Sequence, residues 1–152
     1  MNMLKILTPK RLIGNQGERA AARFLKKNGY KILERNFTAL GAEIDIIARK
    51  ENVTAFIEVK TRNVKYLGYK EARPGSSVTP DKQRKIIKTA AYYHSHHPSD
   101  TRLRLDVIEV YTEGDGVANR IKEIKHIESA FDKNTAFDSK YIYKQKKEGS
   151  VL

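Results

Sequence analysis

Apolar and polar positions along the chain change period several times, and each change marks an element. Within residues 15–28, Ala21, Phe24, Leu25 and Asn28 fall on one helical stripe with Gly29 as a stop signal, so an amphipathic helix is expected. Residues 30–36 read as a first strand. Residues 43–49 and 53–60 read as two strands joined by Lys50-Glu51-Asn52, an antiparallel hairpin. Residues 61–78 contain Gly68, Pro74, Gly75, Ser76 and Ser77 and predict a long exposed loop. Thr79-Pro80-Asp81 supplies a cap, a first-turn proline and an acid at the positive dipole end. The helix it starts is expected to reach about residue 94, burying Ile86, Ile87, Ala90 and Tyr93. Residues 102–111 set Leu103, Leu105 and Val107 against Arg104, Asp106 and Ile108, a further strand. Gly114-Asp115-Gly116 turns the chain into a last strand at 121–127. The predicted order α-β-β-β-α-β-β makes an α/β protein, a mixed central sheet flanked by helices. Residues 1–13 read as an N-terminal extension, 14–131 as the domain, and 132–152, with four lysines between 140 and 147, as a flexible basic tail.

Length and composition narrow the class. At 152 residues the chain is about one domain and can bury a core without staples. It has no cysteine, which excludes disulfides, thiol nucleophiles, thiolate zinc sites and iron–sulfur clusters and fits a cytoplasmic protein. The longest apolar run, residues 90–93, is far below the roughly 20 residues of a membrane span. Near the N-terminus, Leu4, Ile6 and Leu7 form no secretory core. A net charge of +12 points to a polyanionic partner, and nucleic acid is the commonest one in a cytosol. The excess is uneven: residues 60–88 alone carry nine basic side chains against Glu71 and Asp81.

The hairpin holds the candidate chemistry. Asp45 lies inside Ile44-Asp45-Ile46-Ile47 and Glu58 inside Phe56-Ile57-Glu58-Val59-Lys60. Residues two apart on a strand share a face, so Glu58 and Lys60 point together and Val59 points away. Asp45 joins them only in the register that sets Asp45 opposite Glu58, Ile47 opposite Phe56 and Glu43 opposite Lys60. A one-residue slip destroys the cluster. Two adjacent carboxylates repel unless a cation lies between them. Hard oxygen ligands suit Mg²⁺ or Mn²⁺ held with water and substrate phosphate. A lysine beside such an ion orients a water and steadies charge developing on a phosphoryl oxygen. The combination predicts metal-dependent phosphodiester hydrolysis.

Several rivals exist. Glu123-Ile124-Lys125, with Asp106 upstream, repeats the triplet, but acids rather than a basic stretch follow it. His94, His96 and His97 fit no single helix face and lack an acid to complete a metal site. Ser76 and Ser77 have no organised base, and Gly14-x-x-Gly17 lacks the preceding strand of a phosphate-binding loop. Tyr66 and Tyr69, within the basic loop, could stack on unpaired bases or merely anchor the loop.

Taken in order, Gly14-x-x-Gly17-Glu18-x-x-Ala21, Gly29-Tyr30-x-Ile32-Leu33-x-Arg35-Asn36, Glu43-Ile44-Asp45-Ile46-Ile47-Ala48 and Phe56-Ile57-Glu58-Val59-Lys60-Thr61-Arg62 resemble the YraN-type family of small bacterial endonuclease-like proteins. Val78, Lys82-Gln83, Arg104-x-Asp106-Val107-Ile108 and residues 127–131 continue the resemblance. It implies a restriction-endonuclease-like fold shared with Holliday junction resolvases, with residues 14–131 as the endonuclease-like domain. By that resemblance Asp45 and Glu58 are metal-binding carboxylates, Lys60 the catalytic lysine, the Val59 carbonyl a further ligand and Glu18 an acid completing the metal shell. Lys82 and Gln83 match the helix that faces the site, and Arg62, Lys65, Lys70, Lys82 and Arg84 are expected to contact phosphates. The resemblance also implies a homodimer of the resolvase kind, although the sequence marks no dimer surface. Ala42 stands where the family commonly has glycine, and Thr38-Ala39-Leu40 lacks the arginines often found there. The other reading from the same residues is a DNA- or RNA-binding module that keeps the fold without cleaving.

Overall fold

The computed structural model describes residues 9–64, 78–115 and 119–132, with the side chains of the first helix from Asn15 onward. Seven elements follow in the expected order: α1 (Pro9–Lys27), β1 (Lys31–Ala39), β2 (Ala42–Lys50), β3 (Val53–Asn63), α2 (Pro80–His96), β4 (Arg102–Glu113) and β5 (Arg120–Ile127). They make one five-stranded sheet in the order β1-β2-β3-β4-β5. β1–β2, β2–β3 and β4–β5 pair antiparallel. β3 and β4 pair in parallel, which requires a crossover, and α2 lies in it.

Local chemistry explains the boundaries. Gly29, at φ +86, closes α1: the Gly29 N–H reaches the Lys26 carbonyl and the Tyr30 N–H the Leu25 carbonyl. That pair of bonds is the Schellman arrangement, which needs a left-handed residue at this position. Leu40 and Gly41, both at positive φ, form the two-residue turn between β1 and β2. Thr79 caps α2, its hydroxyl accepting from the Lys82 N–H at 3.3 Å, with Pro80 in the first turn. The residue pattern placed that start correctly.

The sheet is covered on both faces. α1 buries Ala20, Ala21, Ala22 and Leu25 against Ile46, Ala48, Ala55, Ile57, Ile108 and Val110. α2 buries Ile86, Ala90 and Tyr93 against Ile47, Phe56 and Val107. Burying each of the larger aliphatic and phenylalanine side chains among these is worth about 1.5–3 kcal/mol.

Several elements run longer than expected. α1 starts at Pro9 and β1 continues to Ala39. β3 extends through Asn63 into the segment read as loop, because Thr61, Arg62 and Asn63 stay paired with Val110, Tyr111 and Thr112. The strict alternation expected for β4 fails: Leu103 is exposed, whereas Asp106 and Glu109 are fully buried. A central strand covered on both faces buries its polar positions too, so alternation no longer reports exposure. Lys65, Tyr66, Tyr69, Lys70, Ser76, Ser77 and the tail from residue 133 lie outside the described residues.

Candidate active site

β2 and β3 pair from Lys50–Val53 to Ile46–Ile57, with Ile47 opposite Phe56. This is the register that brings Asp45 toward Glu58. Ile46–Ile57 is the last pair of that ladder among the described residues, so the expected Glu43–Lys60 pairing does not form. Instead Asp45 Oδ2 accepts the Val59 N–H at 2.7 Å. A side chain thus occupies the place of the next backbone rung, and the strands part where the acids lie. Burial, followed by the nearby Glu58 charge, pushes the Asp45 carboxyl up to about 7, against the Val59 hydrogen bond, which favours the anion.

Glu58 is almost completely buried, yet one of its oxygens meets Lys60 Nζ at 3.2 Å and Lys82 Nζ at 2.5 Å. Lys60 comes from the same strand face and Lys82 from the first turn of α2, held there by the Thr79 cap. Burial holds the Lys60 ammonium below the ordinary lysine range; Glu58 opposes this and the Lys82 charge reinforces it. Burial also acts against the charged form of Lys82, but its bond and charge attraction to Glu58, with smaller contributions from Lys60 and Asp45, together leave it raised.

Glu18 reaches the site from α1, and Gly17 explains how. A Cβ on Gly17 would stand 1.8 Å from Thr61 Oγ1, so only glycine lets the helix backbone lie this close to β3. Burial raises the Glu18 carboxyl; Arg35, 3.9 Å away, opposes it. Carboxylate oxygens of Glu18, Glu43 and Asp45 lie within 4.8 Å of one another. Asn36, left-handed at φ 54, stands beside them; with its amide nitrogen turned inward it donates to Glu18 Oε2 and Glu43 Oε1, each at 3.2 Å. A cleft of about 530 Å³ opens on this group, lined by Glu43, Asp45 and Glu58 from the sheet and Thr79, Lys82 and Lys85 from α2.

The structure therefore gathers Glu18, Asp45, Glu58, Lys60 and Lys82 at one place. Gln83 is not on that surface: it is 2% exposed, and its Nε2 donates to the Val78 carbonyl at 2.9 Å, bracing the segment before α2. Gln83, expected with Lys82 on the helix that faces the site and so as a nucleic-acid contact, instead turns into the core, where its amide cannot meet an external ligand. Arg84 pairs with exposed Asp81 on the outer face of α2. Arg62 lies on β3 beside Tyr111, whose hydroxyl burial and the Glu109 bond hold well above the ordinary tyrosine range against the Arg62 charge. Glu43 and Asn36 were not singled out as site residues. Asn36 had a readable signal, since between Arg35–Ile46 and Phe37–Ile44 it must face Asp45. Glu109 is a further buried acid, bonded by the Tyr111 hydroxyl at 2.5 Å and beside Lys60 in the parallel register.

The rival triplet is resolved by its surroundings. Glu123 and Lys125 lie on edge strand β5, 4.0 Å apart. Asp106 is engaged elsewhere: Arg104 grips it at 2.9 Å, His126 Nε2 lies at 2.8 Å and the Ser129 N–H donates at 3.0 Å. Burial alone would raise this carboxyl, but those bonds leave it below the ordinary range. His96 and the C-cap His97 are spent locally, against the Tyr92 and Tyr93 carbonyls.

Element order, mixed sheet, flanking helices and the acids of α1, β2 and β3 define an α/β protein of the restriction-endonuclease-like fold. The chain belongs to the uncharacterised protein family UPF0102, whose pattern matches residues 17–110. It is 42% identical over 123 residues to a UPF0102 protein of Caldicellulosiruptor saccharolyticus, covering 80% of this chain and 98% of that one. A relative from Desulfosudis oleivorans is 40% identical over 132 residues, covering 86% and 98%. A third, from Clostridium perfringens, is 48% identical over 99 residues, covering 64% and 78%. Among the described residues no helix is long and apolar enough to cross a membrane.

Proposed function

We propose that this protein is a cytoplasmic, Mg²⁺- or Mn²⁺-dependent hydrolase of phosphodiester bonds in nucleic acid, acting on DNA. The observation that carries this reading is the convergence of Glu18, Glu43 and Asp45 within 4.8 Å, beside buried Glu58 and its lysines, in a cleft of a chain with net charge +12. The donor set fits a hard divalent cation: its side-chain donors are all carboxylate oxygens, and burial, then the Glu58 charge, pushes Asp45 toward neutrality.

Asp45, Glu58 and Glu18 would hold the ion, with Glu43 as an additional acid at the rim. The Val59 carbonyl belongs with them: N–H and C=O of one strand residue leave on the same edge, and the Val59 N–H already faces Asp45. Such an ion supplies Lewis acidity and a more acidic bound water. Lys60 provides what the carboxylates cannot, a positive charge fixed by its bond to Glu58 and placed to steady a phosphoryl oxygen as negative charge grows there. Lys82, with Arg62 and Arg84 farther out, would hold the flanking phosphates, and Lys65 and Lys70 extend the basic stretch in sequence.

A second reading, a non-catalytic nucleic-acid-binding module, draws on one observation: Glu58 is already neutralised by two lysines. The deciding experiment incubates wild type and Lys60→Ala with labelled single-stranded, duplex and four-way-junction DNA and with RNA, with and without Mn²⁺. Metal-dependent cleavage of one substrate, reduced about 10²–10³-fold in Lys60→Ala, is the expected result. Tight binding with no cleavage of any substrate would select the binding module.

A further inference from the structure

Glu58 poses a problem that the proposed metal site leaves open. Its carboxylate is buried, and one oxygen carries two ammonium groups at 3.2 and 2.5 Å. A divalent ion on either oxygen of that carboxylate would stand close to both ammonium groups, and three cations around one carboxylate repel severely. One lysine must leave, and the two differ in how freely they can do so. Lys60 springs from the same strand as Glu58, and its side chain is 22% exposed. Lys82 comes from a different element, its side chain is 42% exposed, and it already lines the cleft mouth. Swinging Lys82 outward needs only rotation of its flexible four-carbon stem into the cleft that it lines.

Resting on the metal-site reading above, we infer that Lys82 is an exchangeable counter-ion of Glu58. It neutralises the buried carboxylate in the metal-free protein and gives up that place when a divalent cation takes it. Its ammonium then turns to the phosphate groups of a polyanion in the cleft. Two consequences follow from the geometry. An unloaded site is protected from the penalty of a bare buried carboxylate. Occupation of the metal site also frees a cation for the substrate backbone, so metal and polyanion each favour the other's binding, by equal factors as linkage requires. Lys82 is in this sense a positioning residue that couples the two ligands.

The test is the affinity of Mn²⁺ alone, by calorimetry, for the full chain and three variants. Lys82→Gln removes the competing ammonium, Lys82→Arg keeps a cation at the position, and Lys85→Gln removes one positive charge from the same helix and cleft. If Lys82 competes for Glu58, Lys82→Gln binds Mn²⁺ about five- to tenfold more tightly than wild type. Lys82→Arg stays near wild type, and Lys85→Gln gains less than about twofold, as a more screened charge should. A merely structural role for Lys82 would weaken binding in Lys82→Gln, the opposite sign. Wild-type or weaker affinity in Lys82→Gln overturns the inference while leaving the metal site standing. Equal gains in Lys82→Gln and Lys85→Gln overturn it too, since overall charge would then explain both. Absence of Mn²⁺ binding to every protein would remove the site itself, and the inference with it.

Discussion

Asp45 holds the backbone of β3 through its side chain: Oδ2 accepts the Val59 N–H at 2.7 Å, one step beyond the last backbone pair between β2 and β3. That bond keeps two strands together where they begin to separate, and the separation opens the cleft. It also fixes the carboxylate in a half-buried place near Glu58, where ionisation is unfavourable. The Asp45 carboxyl is raised from 3.8 to about 7, by burial first and Glu58 second. For an acid raised in the folded state, the unfolded chain loses its proton first. The resulting destabilisation is absent below about pH 4, grows as pH rises, and is complete above about pH 7.

Asp45→Asn removes that ionisation while its amide oxygen can still accept from Val59. In metal-free buffer the variant is expected to match wild type near pH 4 and to exceed it by about 1–2 kcal/mol at pH 8. Urea unfolding at a series of pH values measures the gap. A gap that does not widen between pH 4 and 7 would contradict the environment assigned to Asp45.

Gly17 lets α1 approach β3 closely enough to deliver Glu18. Gly17→Ala gains helix propensity of about 1 kcal/mol, but its Cβ would sit 1.8 Å from Thr61 Oγ1. The clash should dominate, with a net loss of about 1–3 kcal/mol and weaker metal binding as Glu18 is displaced. Thr61→Ala in the same chain should restore part of both, since Thr61 Cβ lies at 3.0 Å. Denaturant melts and Mn²⁺ titration of the four proteins complete the cycle; a neutral Gly17→Ala would show that the helix is free to shift.

Much of this site was legible in the residues because acids inside apolar strand runs are conspicuous. Asp45 among isoleucines and Glu58 between Phe56-Ile57 and Val59 break the pattern, and the hairpin length set their register. Lys82 followed from the family resemblance, and the Thr79 cap fixes the helix turn that carries it. Glu43 and Asn36 were harder, because one sits at a strand start and the other takes part only through its left-handed backbone and a cross-strand relationship. Gln83 misled because a polar residue in a first helical turn usually faces water, whereas here Val78 draws its amide inward. The burial of Glu109 and Asp106 was not legible, because alternation along β4 carries no exposure signal once both sheet faces are covered.

The Asp106 cluster is expected to act on stability. Its carboxylate takes Arg104, His126 and the Ser129 N–H, and Arg104 also bonds the Tyr30 hydroxyl at 2.7 Å. Asp106→Ala leaves Arg104 without its principal buried partner and should cost about 3–5 kcal/mol. Because Asp106 is held below its ordinary value, its contribution is present in full above about pH 4 and is lost as pH falls through the lower folded value. Acid unfolding of wild type beside Asp106→Asn should therefore show the wild type losing its advantage only below pH 4. An equal gap at all acidic pH values would contradict this.

Lys82 should also be visible in the ionic-strength dependence of nucleic-acid binding. With Ca²⁺ present to occupy the site, Lys82→Gln is expected to lower the slope of log K against log salt by about 1, the loss of one phosphate contact. Fluorescence anisotropy between 50 and 200 mM salt, a range in which contacts of this kind are resolved, measures it. An unchanged slope would place Lys82 away from the phosphates.

The most direct test of the metal site is calorimetric titration of Mn²⁺ into wild type and into Asp45→Asn/Glu58→Gln. Saturable binding to wild type that disappears in the double variant is the expected result. Equal binding to both proteins, or none to either, would contradict the assignment of Asp45 and Glu58 as the carboxylates of a metal-dependent hydrolase.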